Sequence, residues 1–341
     1  MTDAASRNED VVLPFQLDAA DVRGRAARLD GTLVRMLEGH DYPPVVAGLA
    51  AEIALITALM GQAMKLRWRL SLQVRGDGPI RLLATDWFAP TKEGEPATIR
   101  AYAGYDPERL DLLAPAYPQI GRGIFGMIID QGMGMQPYQG MTPLSGQSLA
   151  DCAETYFAQS EQIATRIIVT MSEVETPEAG RTWRGGGVML QQMPKPGMSK
   201  RAPAEGGSGE GGLLSSADVA AMGGEDHAEK WNRVNMLLDT VEQSELLGPE
   251  VTMETLLLRL FHEETPRVWD KQPVAFGCTC SADKVVAALH QYSAKDIGHM
   301  TNDEGKLTAD CQFCGKHYEF DPKTLGFQAE ERPEENGDPQ G

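Results

Sequence analysis

Four of the five cysteines in this 341-residue chain form two close pairs, Cys278-Thr279-Cys280 and Cys311-Gln312-Phe313-Cys314, with thirty residues between the pairs. Each pair sets two thiolates within reach of one metal ion, and together they supply the four sulfur donors of a tetrahedral zinc site. A CxC pair reaches one ion where the backbone turns both sulfurs to the same side. The CxxC pair is followed by Gly315, which permits the tight turn of a metal knuckle. The same two pairs could equally close as two short disulfides. A thioredoxin-like CxxC is disfavoured, because no βαβ pattern surrounds Cys311. His290, His299 and His317 are substitute ligands, but four cysteines already saturate zinc, and surface imidazoles are the plainer reading.

Around the two pairs the chain offers a unit of about sixty residues, which is marginal on its own hydrophobic core. A structural zinc contributes roughly 10–16 kcal/mol of apparent binding free energy to folding such a unit. Loss of the ion is therefore equivalent to local unfolding. An oxidant that turns a thiolate into a sulfenic acid, which a neighbouring cysteine then attacks, removes the ion, since a disulfide sulfur is a poor ligand. Spacing alone leaves two readings open, an inert structural ribbon and an oxidation-triggered switch.

Several elements must position these residues. Val45 to Lys65 is apolar almost all round and predicts a buried helix. Leu66, Trp68, Leu70, Leu72 and Val74 alternate with polar residues and predict a strand with one wet face. Gly76-Asp77-Gly78-Pro79 is a turn into a returning strand at Ile80 to Thr85, with a third strand at Thr98 to Tyr105. These make an antiparallel meander and an α+β fold, with a small C-terminal zinc-binding domain. Leu17 to Leu37 mixes apolar and charged residues and yields no clear helix or strand. Ser148 to Gln162 reads as a helix, Arg166 to Met171 as a strand, and Gly185-Gly186-Gly187 leads into the strand Val188-Met189-Leu190 that closes the domain.

The expected domains are an α+β core over 1–193, a Gly/Ser/Pro-rich disordered insertion over 194–225, and a helical linker over 226–270. A zinc-binding unit over 271–328 and a disordered tail over 329–341 complete the chain. In the linker, Asp226 with Glu229 resembles a capping box ahead of a stripe of Trp231, Val234, Leu237, Leu238 and Val241. Thr252 opens a second helix carrying Leu256, Leu257, Leu260 and Phe261. In the last unit Ser281 caps a helix whose face is Val285, Val286, Leu289 and Tyr292.

Charge and composition narrow the function classes. The formal net charge is -18 and the pI about 4.8. A field of that sign repels phosphate backbones and disfavours sequence-independent nucleic-acid binding. Met1-Thr2-Asp3-Ala4-Ala5 lacks the basic and apolar regions of a signal peptide. Glu52 inside the apolar Val45–Met64 run argues for a core helix rather than a membrane span. The expected setting is a reducing cytoplasm, where cysteines stay thiols or metal ligands.

Separated blocks of the chain resemble the redox-regulated heat-shock protein 33 chaperones. They are Tyr138-Gln139-Gly140 with Pro143-Leu144, Tyr156-Phe157-Ala158-Gln159-Ser160-Glu161-Gln162 with Thr165-Arg166, and Gly186-Gly187-Val188-Met189-Leu190-Gln191. Arg259 to Glu264, Phe276-Gly277-Cys278-Thr279-Cys280-Ser281 and Cys311 to Tyr318 follow. This resemblance implies an ATP-independent holdase of the stress response that binds unfolded proteins and is not an enzyme. Cys278, Cys280, Cys311 and Cys314 would hold one zinc ion in a reduced, inactive form. Oxidation would close Cys278–Cys280 and Cys311–Cys314, release zinc, loosen the last domain and linker, and expose client-binding surface. That surface would include Trp231, Val234, Leu237, Leu238, Leu256, Leu257, Leu260 and Phe261, in a protein that is a homodimer when oxidised. The Gly/Ser-rich stretch and the acidic tails are longer than the family pattern.

The alternative is an enzyme or nucleic-acid-binding protein with a purely structural zinc ribbon. No nucleophile–base arrangement supports the enzyme. Gly121-Arg122-Gly123-Ile124-Phe125-Gly126 fits GxGxxG, but no βαβ unit with an acidic ribose partner follows. Met127, Met133, Met135 and Met141 suit either a promiscuous apolar surface or, more plainly, gap-filling in the core. Cys152 lies on an apolar helix face and reads as a core thiol.

Overall fold

The computed structural model describes residues 9–176, 180–193 and 214–326, and it separates into two compact units, 1–277 and 278–341. Most of the insertion expected over 194–225 and the tail from 329 lie outside the described residues. The mixed architecture is the expected α+β one.

Chain order begins with a hairpin, β1 (Val11–Leu17) and β2 (Val22–Leu29), followed by helix α1 (Gly31–Leu37) and the long helix α2 (Pro44–Ala63). The hairpin resisted assignment because it is largely buried on both faces and β2 sets Arg23, Arg25 and Arg28 among apolar residues, which hides the period-two signal. Leu13, Phe15 and Leu17 point to one side of the sheet, and Val12 to the other. The α1 N-terminus is satisfied from a distance: the Asp10 carboxylate accepts from the Asp30 and Thr32 N–H groups at 2.8 and 2.9 Å. Helix α2 is buried along nearly its whole length, from Val46 to Gly61. It is long and apolar enough to cross a membrane, and here it is the core helix of the first unit.

Next come β3 (Arg69–Gly76), β4 (Ile80–Phe88) and β5 (Ala97–Tyr105), the expected antiparallel meander, with β6 (Gly123–Asp130) and β7 (Tyr138–Pro143) continuing it on the far side of β3. Leu70, Leu72 and Val74 pack towards α2. The strand begins at Arg69, so Trp68 lies outside it and is exposed. The GxGxxG stretch runs into β6 between β3 and β7, with no helix for a phosphate to sit on. The methionines divide: Met127 is core, whereas Met133, Met135 and Met141 are exposed, which corrects the gap-filling reading for three of the four.

Helix α3 (Leu149–Tyr156) is capped by Ser148, whose hydroxyl accepts from Asp151 N–H, and Phe157–Glu161 extends it by a widened π-type turn. The hairpin β8 (Thr165–Thr176) and β9 (Gly180–Gln192) extends the sheet beyond β2, with β8 at its edge.

Four helices follow: α4 (Ser216–Ala221), α5 (Glu225–Leu238), α6 (Gln243–Leu247) and α7 (Met253–Phe261). Helix α4 falls inside the stretch expected to be disordered. Ser215 and Asp218 close a capping box there, and Val219 and Ala220 are buried. The box expected at Asp226 is not formed, because Gly224 is the N-cap of α5 and Asp226 instead faces Lys230 at 3.6 Å. Thr252 caps α7 as expected. The short strands β10 (Pro266–Val268) and β11 (Gln272–Phe276) return the chain to the sheet; β11 pairs antiparallel with β1 and parallel with β5.

The strand order is β7-β6-β3-β4-β5-β11-β1-β2-β9-β8, with β10 beside β1. Helix α2 covers one face. On the other face, α4 to α7 cover β1, β2 and β9 and reach β8 through Ile168. Trp231, Val234 and Leu238 of α5 meet Leu256, Leu257, Leu260 and Phe261 of α7 over Leu13, Phe15, Val188 and Leu190, and Phe15 stacks on Phe261 with centroids 6.2 Å apart. Each such buried side chain contributes about 1.5–3 kcal/mol, an upper estimate. Arg233 clasps the buried Glu264 through two contacts of 2.6 and 2.9 Å, fixing α5 to the end of α7.

Three carboxyls sheltered in this unit, Asp30 buried and Glu52 and Glu154 half-buried, are pushed well above their ordinary range. Desolvation raises Glu52 and Glu154 to about 7 and Asp30 to about 6. The folded form therefore binds more protons than the unfolded chain between the ordinary value of 4.5 and about 7, and stability falls as pH rises through that window. Glu52→Gln should make this decline shallower in urea-unfolding measurements at stepped pH, with an unchanged slope as the opposing result.

Candidate metal centre

The second unit contains α8 (Ala282–Leu289), α9 (Ala294–Met300) and the hairpin β12 (Leu307–Asp310) and β13 (His317–Phe320). Ser281 caps α8 by accepting from Lys284 N–H at 3.3 Å, which fixes the chain immediately after Cys280. Ser293 and Asp296 form a capping box on α9. The apolar cluster is small: Ile297, Leu307 and Leu325 are buried, and Val286, Leu289 and Phe320 pack partly against them. Helix α8 buries no residue completely, and Tyr292 is exposed.

The four cysteines converge beside this small core. Cys311 to Gly315 form a knuckle between β12 and β13, closed by Gly315 N–H on Cys311 O at 2.8 Å and by Cys311 N–H on Lys316 O at 3.0 Å. Gly315 has φ +67°, a left-handed conformation that explains the glycine. One sulfur from each of Cys278, Cys280, Cys311 and Cys314 lies within 4.8 Å of the others. Cys278 and Cys311 are 3.6 Å apart, and Cys280 and Cys314 3.5 Å; no disulfide joins them. Four thiolates at about 2.3 Å from a tetrahedral ion stand about 3.8 Å apart, so the spacing suits a single ion.

Electrostatics points the same way. Burial raises the Cys280 thiol, but hydrogen bonds from the Tyr318 hydroxyl, at 3.1 Å, and from the other three sulfurs more than reverse it, to about 7. Burial and the neighbouring sulfurs push Cys314 up to about 12. Four sulfurs this close repel one another as thiolates, and a divalent cation among them would relieve that repulsion. The histidines stay apart. His317 Nδ1 meets Asp310 at 2.6 Å, and only the four cysteines make up the clustered ligand set among the described residues.

Residues 10–321 match the family model of the Hsp33 protein. The chain belongs to the Hsp33 family. Two proteins named 33 kDa chaperonin are similar along their length. The one from Caulobacter vibrioides is 35% identical over 94% of this chain and 99% of its own. That from Azotobacter vinelandii is 34% identical over 92% of each. A solved structure of the 33 kDa chaperonin (heat shock protein 33 homolog) of Thermotoga maritima shares the fold, with TM-score 0.68, 19% identity, and coverage of 92% of this chain and 95% of that one. Hsp33 membership supports a chaperone function.

Of the apolar residues expected to meet clients, Trp231, Val234, Leu238, Leu256, Leu257, Leu260 and Phe261 are buried in the first unit, and Leu237 is half-buried against the same cluster. Sequence reasoning missed α6, whose Leu246 joins that cluster; five residues are too few to show a helical period. Cys152 is fully buried, with Tyr117 Oη at 3.1 Å and Ser145 O at 3.3 Å, and burial raises its thiol. In native, reduced, metal-free protein, iodoacetamide should therefore modify the four clustered cysteines and spare Cys152 until denaturant is added. Mass spectrometry showing early Cys152 labelling would contradict its placement.

Proposed function

We propose that this chain is a redox-regulated, ATP-independent holdase whose resting form holds one zinc ion on Cys278, Cys280, Cys311 and Cys314. The observation that carries this reading is the disproportion in the second unit: four converging sulfurs beside an apolar cluster with only three buried side chains among the described residues. A unit with so small a core depends on its metal for folding. Bound zinc supplies the cation that keeps four thiolates together.

The chemistry of release follows from the thiolates. One thiolate of each pair reacts with one peroxide molecule, giving a sulfenic acid and hydroxide. The partner thiolate then attacks that sulfur and expels a second hydroxide, closing a disulfide. Two peroxides thus close Cys278–Cys280 and Cys311–Cys314 and leave zinc without ligands. Contacts of 3.6 and 3.5 Å run between the pairs, Cys278 to Cys311 and Cys280 to Cys314, and a disulfide needs about 2 Å, so closure within each pair requires the cluster to rearrange as the ion departs. Peptide mapping distinguishes this pairing from Cys278–Cys311 with Cys280–Cys314.

Loss of the ion unfolds the second unit. The segment over 226–270 then releases its apolar stripes, and Trp231, Val234, Leu237, Leu238, Leu256, Leu257, Leu260 and Phe261 become the surface for unfolded clients. That surface suits a homodimer in the oxidised form. The same reading carries no nucleic-acid partner, which a net charge of -18 disfavours, a cytoplasmic setting, which suits cysteines kept as thiols, and no enzymatic activity.

Reduced, zinc-loaded protein should be treated with peroxide at raised temperature. A chelator dye should report zinc release, and light scattering of an aggregating client should show suppression that develops with it. Cys311→Ser should lose tight zinc binding. Zinc that stays bound, or leaves with no gain in suppression, would support the inert ribbon instead.

A further inference from the structure

Helix α6 has only five residues, too few to be stable alone. It is held on the sheet by the buried Leu246 side chain and by its main chain. Arg28, on β2, is 2% exposed. Its Nε donates to Leu246 O at 3.0 Å, and its Nη2 donates to Glu245 O at 2.8 Å and to Val251 O, while Nη1 pairs with Glu9 at 2.8 Å. Opposite Arg28 in the register stands Gly186 of β9. A Cβ there would lie 2.1 Å from Leu246 O, so the missing side chain lets that carbonyl reach the sheet. Past the helix, Gly248 turns back over the guanidinium at φ +65°, and a Cβ on it would lie 2.7 Å from Arg28 Cζ. Three carbonyls of the segment thus accept from Nε and Nη2 of a buried guanidinium whose charge Glu9 balances.

Such a socket is blind to sequence. It stands at the rim of an apolar floor, because Ala26 and Val188 share its face of the sheet. When the turn departs, Nε and Nη2 lose their acceptors, and a guanidinium left unpaired against an apolar floor is costly. An extended, apolar polypeptide could supply the same carbonyls while laying its side chains along that floor. We infer that Arg28 and Gly186 form a main-chain carbonyl site that holds the α6 turn in the resting protein and takes the backbone of an unfolded client once the turn leaves. This rests on the holdase reading above.

Three proteins test it: wild type, Arg28→Met and Gly248→Ala. Glu9 keeps Lys271 at 3.3 Å, so Arg28→Met does not strand that carboxylate. The alanine crowds the turn off Arg28 and leaves the socket intact. In the reduced, zinc-bound state, both variants should raise hydrogen exchange across 243–261 at least tenfold, with α2 still protected. After oxidation, binding of reduced, carboxymethylated α-lactalbumin, an unfolded polypeptide, is read by fluorescence anisotropy. Gly248→Ala should match wild type, and Arg28→Met should bind about tenfold more weakly, the equivalent of one lost charge-assisted hydrogen bond. Should Arg28→Met fail to fold, Arg28→Lys, which keeps the charge but not the fork, should shift both readouts in the same directions. Equal client binding by Arg28→Met and Gly248→Ala would overturn the inference alone, as would unchanged exchange across 243–261 in Arg28→Met. Oxidised wild type that fails to bind the probe would overturn the holdase reading itself.

Discussion

The convergence of four sulfurs to within 4.8 Å takes the place of a hydrophobic core in the second unit. Ile297, Leu307 and Leu325 are too few to offset the ordering of about fifty residues, each of which costs 1 kcal/mol or more in backbone entropy. The knuckle at Cys311–Gly315, the cap at Ser281 and the Tyr318 hydroxyl all serve to bring those sulfurs to one point. A fold closed by metal–thiolate bonds has a property that a fold closed by leucines lacks. In the proposed reading its stability vanishes when an oxidant consumes the ligands.

The first unit is built on the opposite principle, and its weaker layer is the one that matters for the proposed activity. Helix α2 lies on one face of the sheet with nearly every side chain buried, which makes it the durable part. Helices α4 to α7 on the other face are short and amphipathic, and they depend on docking rather than on their own helical stability. Their hold combines apolar burial around Phe15 and Phe261 with a few charged clasps, Arg28 on the α6 turn and Arg233 on Glu264. Segments of this kind open before the rest of a domain does.

What was legible in the sequence was what is local. Two cysteine pairs announce a metal site because each pair is a self-contained ligand geometry, and Thr252 and Ser281 announce helix starts because a cap acts within three residues. Leu70, Leu72 and Val74 revealed β3 because the opposite face is wet. The hairpin of β1 and β2 was hidden by burial on both faces, and α6 by being shorter than two helical turns. Asp226 misled because the chain enters α5 through Gly224, a backbone choice that the neighbouring carboxylates do not disclose. Arg28 was invisible as a site residue because its partners lie more than two hundred positions away.

The central claim is that the metal centre governs the docking of the helices over 226–270. Hydrogen–deuterium exchange of the reduced protein, before and after a chelator strips the ion, tests it without any oxidant. The account predicts that protection collapses in the second unit and falls across α5 to α7, while α2 keeps its protection. Protection in α5 and α7 that is unchanged after complete metal loss would contradict it.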